Sequence, residues 1–347
     1  GWGSNPDLQA YLTAGSFEIF KTLQLDMGYD IEFHAQGGLQ AVHTPEQADF
    51  TRDRVLRLKT EGYHAEFLTA REARAIEPEA SETLAGFMFL PKRGRADPTK
   101  ATVAFGKASA ALGADIKTGH DVQAMTQLQD GSWQVRSSQG EFRAGSLALA
   151  VGAWSKPVGD MLGIDIPITP IKGQMWATEP VPPSIFHLIG SMESPFDWSS
   201  ESKSENYPPE ITHHRDTRIT RHLYGRQTRN GEIIFGGDRQ MVGYDYKPDM
   251  AGIEVNRGQA SEVIPLVGRL PISRTWAGIM PFSKDGKPII GKVPGFENLY
   301  ISTGLASSGF GRGPMAGKLI ADYIHTGHMP HVLSESDPAR CVTEAEE

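Results

Sequence analysis

The feature that most constrains this chain is an apolar run that leads directly into a glycine-rich segment. Residues 298–303 have the pattern of a buried strand, and residues 304–313 contain four glycines. A helical pattern follows, with Pro314 near its first turn. Because backbone N–H groups at a helix start are unpaired and glycine lets a ligand approach the main chain, this pattern predicts a site for an anionic or polar cofactor edge. A tight strand-to-helix turn without a ligand is the alternative.

The same run lacks the fingerprint of a dinucleotide-binding turn. The GxGxxG spacing is only loosely met, and no acidic residue stands at the end of a following strand. An NAD-linked dehydrogenase is therefore a poor interpretation of this sequence.

A second apolar run points to a parallel sheet. Residues 146–151 lack polar alternation and end at Gly152, which is typical of a strand buried on both faces. Upstream, Asp97–Pro98 predicts a helix start, and residues 113–116 are predicted to form a strand. Thr69 and Glu72 form a capping-box pair that predicts another, short helix.

The middle of the chain has a different pattern. Residues 165–275 are mostly patterned as antiparallel strands, and Asn230–Gly231 between two apolar segments is the strongest hairpin signal. Residues 193–218 are polar and predict a long surface loop. Tyr244 and Tyr246, placed on one strand face, are candidates for lining a substrate pocket, with ordinary strand packing as the alternative. The same half holds four further polar residues: His222, Tyr224, Arg226 and Arg239.

Composition excludes several classes of function. The 347 residues carry a net charge of −8, which argues against a nucleic-acid partner. Cys341 is the only cysteine in the sequence, which excludes an internal disulfide and a cysteine zinc cage, and no metal site is predicted. No apolar run reaches the roughly 18 residues of a membrane-spanning helix. No location is predicted beyond a soluble, intracellular protein, and the oligomeric state is not predicted.

Four sequence blocks occur in a recognisable order: Ala148–Ser155, Ile168–Gln174, Trp276–Gly291 and Leu299–Pro314. In this order they resemble the FAD-dependent amine oxidoreductases of the D-amino acid oxidase family, which includes glycine oxidase and the sarcosine oxidases and dehydrogenases. Gly231–Asp238 is similar to the flavin-carrying subunits of sarcosine oxidases.

The resemblance implies a mixed α/β fold, in which a Rossmann-like FAD-binding domain is interleaved with an antiparallel-sheet substrate domain. We expect segments shared between both domains over 1–95, FAD-binding parts over 96–165 and 276–328, the substrate domain over 166–275, and a frayed tail over 329–347. The implied activity is FAD-dependent oxidation of the C–N bond of a small amine or amino acid, of the sarcosine, glycine or D-amino acid type, to an imine. O2 or another electron acceptor would take the electrons.

The resemblance also assigns cofactor-binding residues. The loop along the flavin pyrimidine ring matches seven residues: Gly304, Leu305, Ala306, Ser307, Ser308, Gly309 and Phe310. Gly152 and Trp154 would lie near the pyrophosphate. Val122 would touch the adenine side through its backbone, and a plain strand residue is the alternative.

Two departures from the family bear on this prediction. The strand–GxGxxG–helix–strand unit that opens the family would lie upstream of Gly1, so we expect an N-terminally incomplete FAD domain that does not hold FAD tightly. A catalytically incomplete remnant or partner subunit is therefore the alternative function.

Met280 stands where glycine oxidase-like members hold the substrate carboxylate with an arginine, and a thioether cannot form that charged pair. Arg312 is the candidate replacement, with a solvent-facing arginine at the helix start as the alternative.

The acid–base and acceptor chemistry leave little trace in the sequence. No dedicated acid or base is required if the amine binds in its neutral form, so no catalytic residue is assigned. Sarcosine-oxidase-like members use a lysine for oxygen reactivity, and the region that matches it here, around Ile233–Ile234, is apolar. This difference favours a dehydrogenase.

Overall fold

A computed structural model of the chain describes residues 6–197, 213–214, 217–218 and 222–345. Its α-helices are α1 (Leu8–Leu25), α2 (Pro45–Thr60), α3 (Ala70–Ile76), α4 (Pro98–Ala111), α5 (Ser155–Asp160), α6 (Glu193–Asp197), α7 (Met250–Val263) and α8 (Gly309–Thr326). The strands of the first half are β1 (Gly38–Val42), β2 (Glu66–Leu68), β3 (Gly86–Leu90), β4 (Val122–Gln127), β5 (Trp133–Ser137), β6 (Gly140–Ala144), β7 (Leu147–Leu149), β8 (Ile164–Asp165) and β9 (Ile168–Thr178). Those of the second half are β10 (Leu188–Ser191), β11 (His213–His214), β12 (Thr217–Arg218), β13 (Tyr224–Gln227), β14 (Ile233–Gln240), β15 (Ile272–Ser283), β16 (Ile289–Lys292), β17 (Leu299–Thr303) and β18 (Thr343–Glu344). In the described part of the chain, no helix is long and apolar enough to cross a membrane.

The chain divides into two compact units. The first takes in the described residues of 32–97 and 171–279, and the second is built from 7–31, 98–170 and the residues from 280 onward. These boundaries lie a few residues from those expected between the FAD-binding and substrate parts. The roles of the two parts stay predictions. Most of the predicted loop over 193–218 lies outside the described residues.

The second unit contains a three-stranded sheet in the order β16-β17-β7. β7 and β17 are parallel, with Leu149 opposite Ile301, as the two apolar runs predict. The prediction of a strand buried on both faces is wrong, because β7 has three residues and Ala148 is exposed. Leu149 and Ile301 pack on the other face against the fully buried Trp133 and its cluster.

Helices α1 and α8 pack against each other in the second unit, where Leu12 and Leu319 share a buried cluster. α8 begins at Gly309, so the predicted loop over 304–313 is shorter than expected and Pro314 lies inside the helix. The side chain of Ser16 on α1 accepts a hydrogen bond from the backbone N–H of Met315 at 3.0 Å. Glycine has a low helix propensity, so the packing against α1 stabilises the glycine-rich start of α8 as a helix.

The first unit is built on a mixed sheet in which β12-β11-β14-β13-β10-β1-β3-β2 are neighbours in that order, with β9 pairing β14 and β15. The hairpin predicted at Asn230–Gly231 is confirmed, since β13 and β14 pair antiparallel around it. One face of this sheet carries the core, in which Leu39, Trp176 and Phe235 are fully buried.

Three local predictions are wrong. Residues 113–116 form no strand and are exposed, because no strand in the described part of the chain pairs with them. The antiparallel pattern over 165–275 is interrupted by α7, which Asp249 caps by accepting hydrogen bonds from two backbone N–H groups. Tyr244 and Tyr246 are not on a strand, since β14 ends at Gln240.

The expected frayed tail over 329–347 is also wrong for the described residues. Leu333 is fully buried in the cluster between α1 and α8, and Ser336 donates a hydrogen bond to the backbone oxygen of Ile290 at 3.2 Å. β18 adds to β8 as an antiparallel partner. The segment is polar overall, but a few apolar residues such as Leu333 pack into the core of the second unit.

Candidate active site

The predicted flavin loop follows the carboxyl end of β17. Gly304 has a φ of +73°, and a Cβ there would lie 3.2 Å from the backbone nitrogen of Ile289. Only glycine accepts this conformation and this close approach without strain. Ala306, the third residue of the loop, also has a positive φ of +49°. The loop is therefore held in an unusual conformation by its own backbone and by β16.

The amino end of α8 completes the loop. Its N-cap residue, Ser308, makes no side-chain hydrogen bond to the first turn. The first N–H groups of a helix have no partner within the helix, and the helix dipole adds partial positive charge there. Gly309 and the exposed Phe310 open this helix, so the backbone can approach an anionic or polar ligand.

A short turn from the end of β7 meets the end of β17. The hydroxyl oxygen of Ser155 lies 2.6 Å from the carbonyl oxygen of Gly152 and 2.8 Å from the hydroxyl oxygen of Thr303. The hydroxyl of Thr303 lies 3.1 Å from the same carbonyl. Ser155 is fully buried and Thr303 is 2% exposed. These hydrogen bonds join the predicted pyrophosphate turn to the residue immediately before the predicted flavin loop.

The turn itself leaves room for a ligand. Gly152 has a φ of +54°, and a Cβ there would meet nothing within 4 Å. Trp154 in the same turn is 46% exposed, which is unusual for so large an apolar side chain. Carboxyl ends of adjacent parallel strands are the usual ligand-binding edge of such sheets. The structure thus brings together Gly152, Trp154 and the loop that starts at Gly304.

Val122 lies in a different sheet of the second unit. It is the first residue of β4, pairs with Ser137 and is 40% exposed. The ladder is irregular between Val122 and Ala124. Its predicted role at the adenine side stays a prediction.

The predicted substrate residues are spread over both units. Met280 is half-buried in β15, and Arg312 lies on α8 with its Nε 3.4 Å from the hydroxyl oxygen of Thr13. Tyr244 and Tyr246 belong to the first unit and are 39% and 48% exposed. Their role as substrate residues stays a prediction.

Sequence reasoning gave no role to a buried pair in the first unit. Nη2 of Arg239 lies 2.8 Å from Nε2 of His222. Burial, together with the positive charge of Arg239, holds the pKa of His222 well below its usual range. His222 is therefore a neutral imidazole whose Nε2 accepts the arginine hydrogen bond. Within the described ranges, no group of three or more His, Cys, Asp or Glu side chains could hold a metal ion.

The residues at the ends of β7 and β17 fit a flavin cofactor. Gly152 has open space where a Cβ would lie, and the first-turn N–H groups of α8 receive no side-chain cap from Ser308. An FAD molecule needs such donors at its phosphates and at the electron-poor end of its ring system. Gly152 and Trp154 would hold the phosphates, and residues 305–310 would hold the electron-poor end of the ring system.

Comparison with known proteins supports an FAD cofactor. A family model described as "FAD dependent oxidoreductase" (DAO) matches residues 1–323. Mitochondrial dimethylglycine dehydrogenase of Mus musculus is 26% identical over 94% of the chain, which spans 37% of that protein. Sarcosine oxidase subunit beta of an Arthrobacter species is 25% identical over 97% of the chain and 80% of its own length.

Solved structures show the same fold. L-proline dehydrogenase from P. horikoshii superposes with a TM-score of 0.82 and 25% identity, covering 98% of this chain and 85% of its own. Glycine oxidase from Geobacillus kaustophilus superposes with a TM-score of 0.81 and 20% identity, covering 97% and 84%. The predicted mixed α/β fold is confirmed. The chain belongs to the DAO family of FAD-dependent oxidoreductases.

Proposed function

We propose that the protein containing this chain oxidises the C–N bond of a small amine or amino acid to an imine. Three of the curated relatives are mitochondrial dimethylglycine dehydrogenases, and the chain spans 37% of their length. Sarcosine oxidase and D-amino acid dehydrogenase share the same type of reaction. The observation that carries the proposal is the glycine loop of residues 304–310, anchored by Ser155 and Thr303 beside an uncapped helix start.

The chain contributes binding and electrostatics to this reaction. Bound FAD supplies the acceptor for the hydride that leaves the carbon next to the amine. Backbone N–H groups of the loop over residues 305–310 would stabilise negative charge at the pyrimidine end of the ring. The Ser155–Thr303 contact keeps these donors in position before the reaction starts, which is how such donors lower a barrier.

The electron acceptor is O2 or another oxidant, and the apolar region around Ile233–Ile234 favours the latter. Both side chains are buried in β14, at 0% and 5% exposure. Neither of these two side chains carries an amine that could stabilise charge on reduced oxygen. In a stopped-flow experiment, we expect an artificial dye to reoxidise the reduced protein faster than O2 does.

The direct test is anaerobic reduction of the bound flavin. Sarcosine, dimethylglycine, glycine, L-proline and D-alanine are added in turn to the full-length FAD-loaded protein. We expect at least one to bleach the visible flavin absorbance, with stoichiometric release of the imine hydrolysis product. If dithionite bleaches the flavin and no amine does, the proposed function is wrong.

A further inference from the structure

The segment after residue 329 is packed tightly on β16 of the second unit. A Cβ on Gly291 of β16 would lie 2.7 Å from Cδ of Pro338. Val342 joins the buried cluster that contains Ile289, the first residue of β16. Because these contacts fix the backbone on both sides of residues 339–341, the side chains of that short stretch have defined positions.

Arg340 leaves this segment from a short 3-10 turn, Pro338–Arg340. The side chain of Asp337 caps the turn by accepting a hydrogen bond from the backbone N–H of Ala339 at 2.9 Å. Nη1 of Arg340 donates to the backbone oxygen of Asp337 at 3.2 Å. The guanidinium is thus held against its own turn, and the side chain is only 21% exposed.

The same guanidinium binds the turn of residues 284–288, which joins β15 to β16. Nε of Arg340 lies 2.8 Å from Oδ2 of Asp285, and Nη2 lies 3.2 Å from Oδ1, so the pair is bidentate. Nη2 also donates to the backbone oxygen of Lys287 at 3.1 Å. Bidentate pairs fix geometry as well as adding energy. One side chain therefore holds two residues of the turn at once.

Hydrogen bonds within the turn make it a rigid unit. The backbone N–H of Lys287 donates to Oδ1 of Asp285 at 3.0 Å, and the hydroxyl of the buried Ser283 donates to the backbone oxygen of Lys287 at 2.6 Å. Burial raises the pKa of Asp285, but the hydrogen bonds from Arg340 and from the Lys287 N–H outweigh it and hold this pKa below its usual value. Asp285 is therefore a carboxylate at neutral pH, and the pair is ionic.

The turn lies against Gly304, where the predicted flavin loop begins. A Cβ on Gly304 would lie 3.4 Å from the backbone oxygen of Lys287, the same atom that Arg340 binds. It would lie 3.2 Å from the backbone nitrogen of Ile289. Groups packed this closely transmit a displacement, because protein interiors have low compressibility. The position of Gly304 is therefore coupled to the Arg340 guanidinium through one carbonyl group.

We propose that Arg340 is a positioning residue for the flavin cofactor. By locking the turn against Gly304, it keeps the backbone N–H groups of residues 305–310 aligned with the ring before the reaction starts. Donors that are already in place stabilise developing charge without reorganisation, which is how they lower a barrier. The inference rests on the proposed function, and it gives the segment after residue 329 a role in cofactor alignment that acts through the turn.

Sulfite binding measures this alignment without an amine. Sulfite adds to oxidised flavin, bleaches its visible absorbance and leaves negative charge at the pyrimidine end of the ring, where aligned N–H groups stabilise it. In the full-length FAD-loaded protein, we expect Arg340→Gln to raise the dissociation constant of sulfite about 5- to 50-fold, because hydrogen bonds to a charged group weaken as their geometry is lost. Arg340→Lys should recover part of the affinity, since an ammonium keeps the charge but not the two parallel hydrogen bonds.

Asp285→Asn tests the same pair from the other side. It removes the negative charge but keeps an oxygen for the N–H of Lys287, so it reports on the pair even if Arg340→Gln fails to fold. Sulfite binding should weaken here too, and the double variant should bind no more weakly than the more affected single variant, because the two residues act as one pair. Additive losses of sulfite affinity would show that Arg340 acts by another route, and the proposal would be wrong.

Two controls separate alignment from stability. Arg143→Gln removes an exposed arginine–carboxylate pair, with Asp130, in a different sheet of the same unit, and sulfite affinity should stay at the wild-type value. Ser336→Ala removes a buried hydroxyl that is hydrogen-bonded to the backbone oxygen of Ile290, so it should lower the thermal midpoint and leave sulfite affinity unchanged. If Arg340→Gln lowers only the thermal midpoint, its role is structural and the proposal is wrong. An equal loss of sulfite affinity in Ser336→Ala would also overturn it.

Flavin reduction by amines distinguishes the two proposals. Arg340→Gln should slow reduction by a reactive amine by a similar factor, with KM for the amine changed less, because the substitution acts on the flavin and not on the amine. If no amine reduces the flavin but sulfite affinity falls in Arg340→Gln, the proposed function fails and the positioning role stands. If amines reduce the flavin and Arg340→Gln binds sulfite like the wild type, the function stands and the positioning role is wrong.

Discussion

Removal of the Ser155 hydroxyl tests how the two strand ends are joined. Ser155→Ala deletes the contacts at 2.6 Å to the Gly152 carbonyl and at 2.8 Å to Thr303. A net hydrogen bond contributes about 1 kcal/mol, and a buried polar group left without a partner costs about 1–3 kcal/mol. The Thr303 hydroxyl, 3.1 Å from the same carbonyl, still satisfies it. We therefore expect a loss of about 1–2 kcal/mol in the free energy of unfolding.

The flavin affinity should fall together with stability, because only the hydrogen bond from the Thr303 hydroxyl to the Gly152 carbonyl then joins this turn to the end of β17. The assay combines urea denaturation with FAD titration by fluorescence quenching. Ser138→Ala is the matched control, since that hydroxyl and both of its contacts are exposed: it lies 3.4 Å from the Gly119 oxygen and accepts a hydrogen bond from the Asp121 N–H at 3.1 Å. A double-mutant cycle with Thr303→Val should show coupling of about 0.5–3 kcal/mol. Additive losses, or unchanged FAD affinity in Ser155→Ala, would refute this reasoning.

Three further predictions follow from single positions. Gly304→Ala should destabilise the protein by about 1–2 kcal/mol in urea denaturation, because the position has a φ of +73°. The control Gly311→Ala lies in a helix with open space where the Cβ would be, so it should be neutral or stabilising. Equal effects of the two substitutions on stability would contradict the argument. Gly309→Val should fold, because a Cβ there meets its nearest neighbour at 3.7 Å, yet it should lose bound flavin; flavin absorbance retained after purification would place the loop elsewhere. The hydrogen bond from Arg274 lowers the pKa of Glu232 below its usual value. The stability that this ion pair contributes is therefore present above the pKa of Glu232 in the unfolded chain and is lost as the pH falls through its pKa in the folded protein. The stability advantage of the wild type over Glu232→Gln should shrink on acidification, and a constant difference would rule the ion pair out.

Several elements are readable from short stretches because their chemistry is local. The capping box at Thr69 and Glu72 starts α3, and Asn230–Gly231 turns the β13–β14 hairpin, where Gly231 has a φ of +95°. Each signal needs contacts only a few residues apart. The same holds for β17, whose apolar run ends where Gly304 requires a positive φ.

Other elements depend on distant partners and were not readable. Residues 113–116 have a pattern that predicts a strand but lack a pairing strand among the described residues. α8 starts at Gly309, five residues before Pro314, because α1 supplies the Ser16 side chain as an acceptor for the N–H of Met315. The segment after residue 329 folds because Leu333 finds a cluster formed by α1 and α8. A local pattern contains no information about such partners.

The sequence by itself determined the order of the motifs, the glycine loop and the family to which the chain belongs, because glycine positions and apolar runs act through backbone geometry close to each residue. Only the tertiary structure decided that Ser155 meets Thr303 across 148 residues of chain, and that the side chain of Arg226 is only 6% exposed. An arginine in a sequence has the same charge whether it is solvated or buried. Its consequence for function depends on which groups surround it, and only the folded chain determines them.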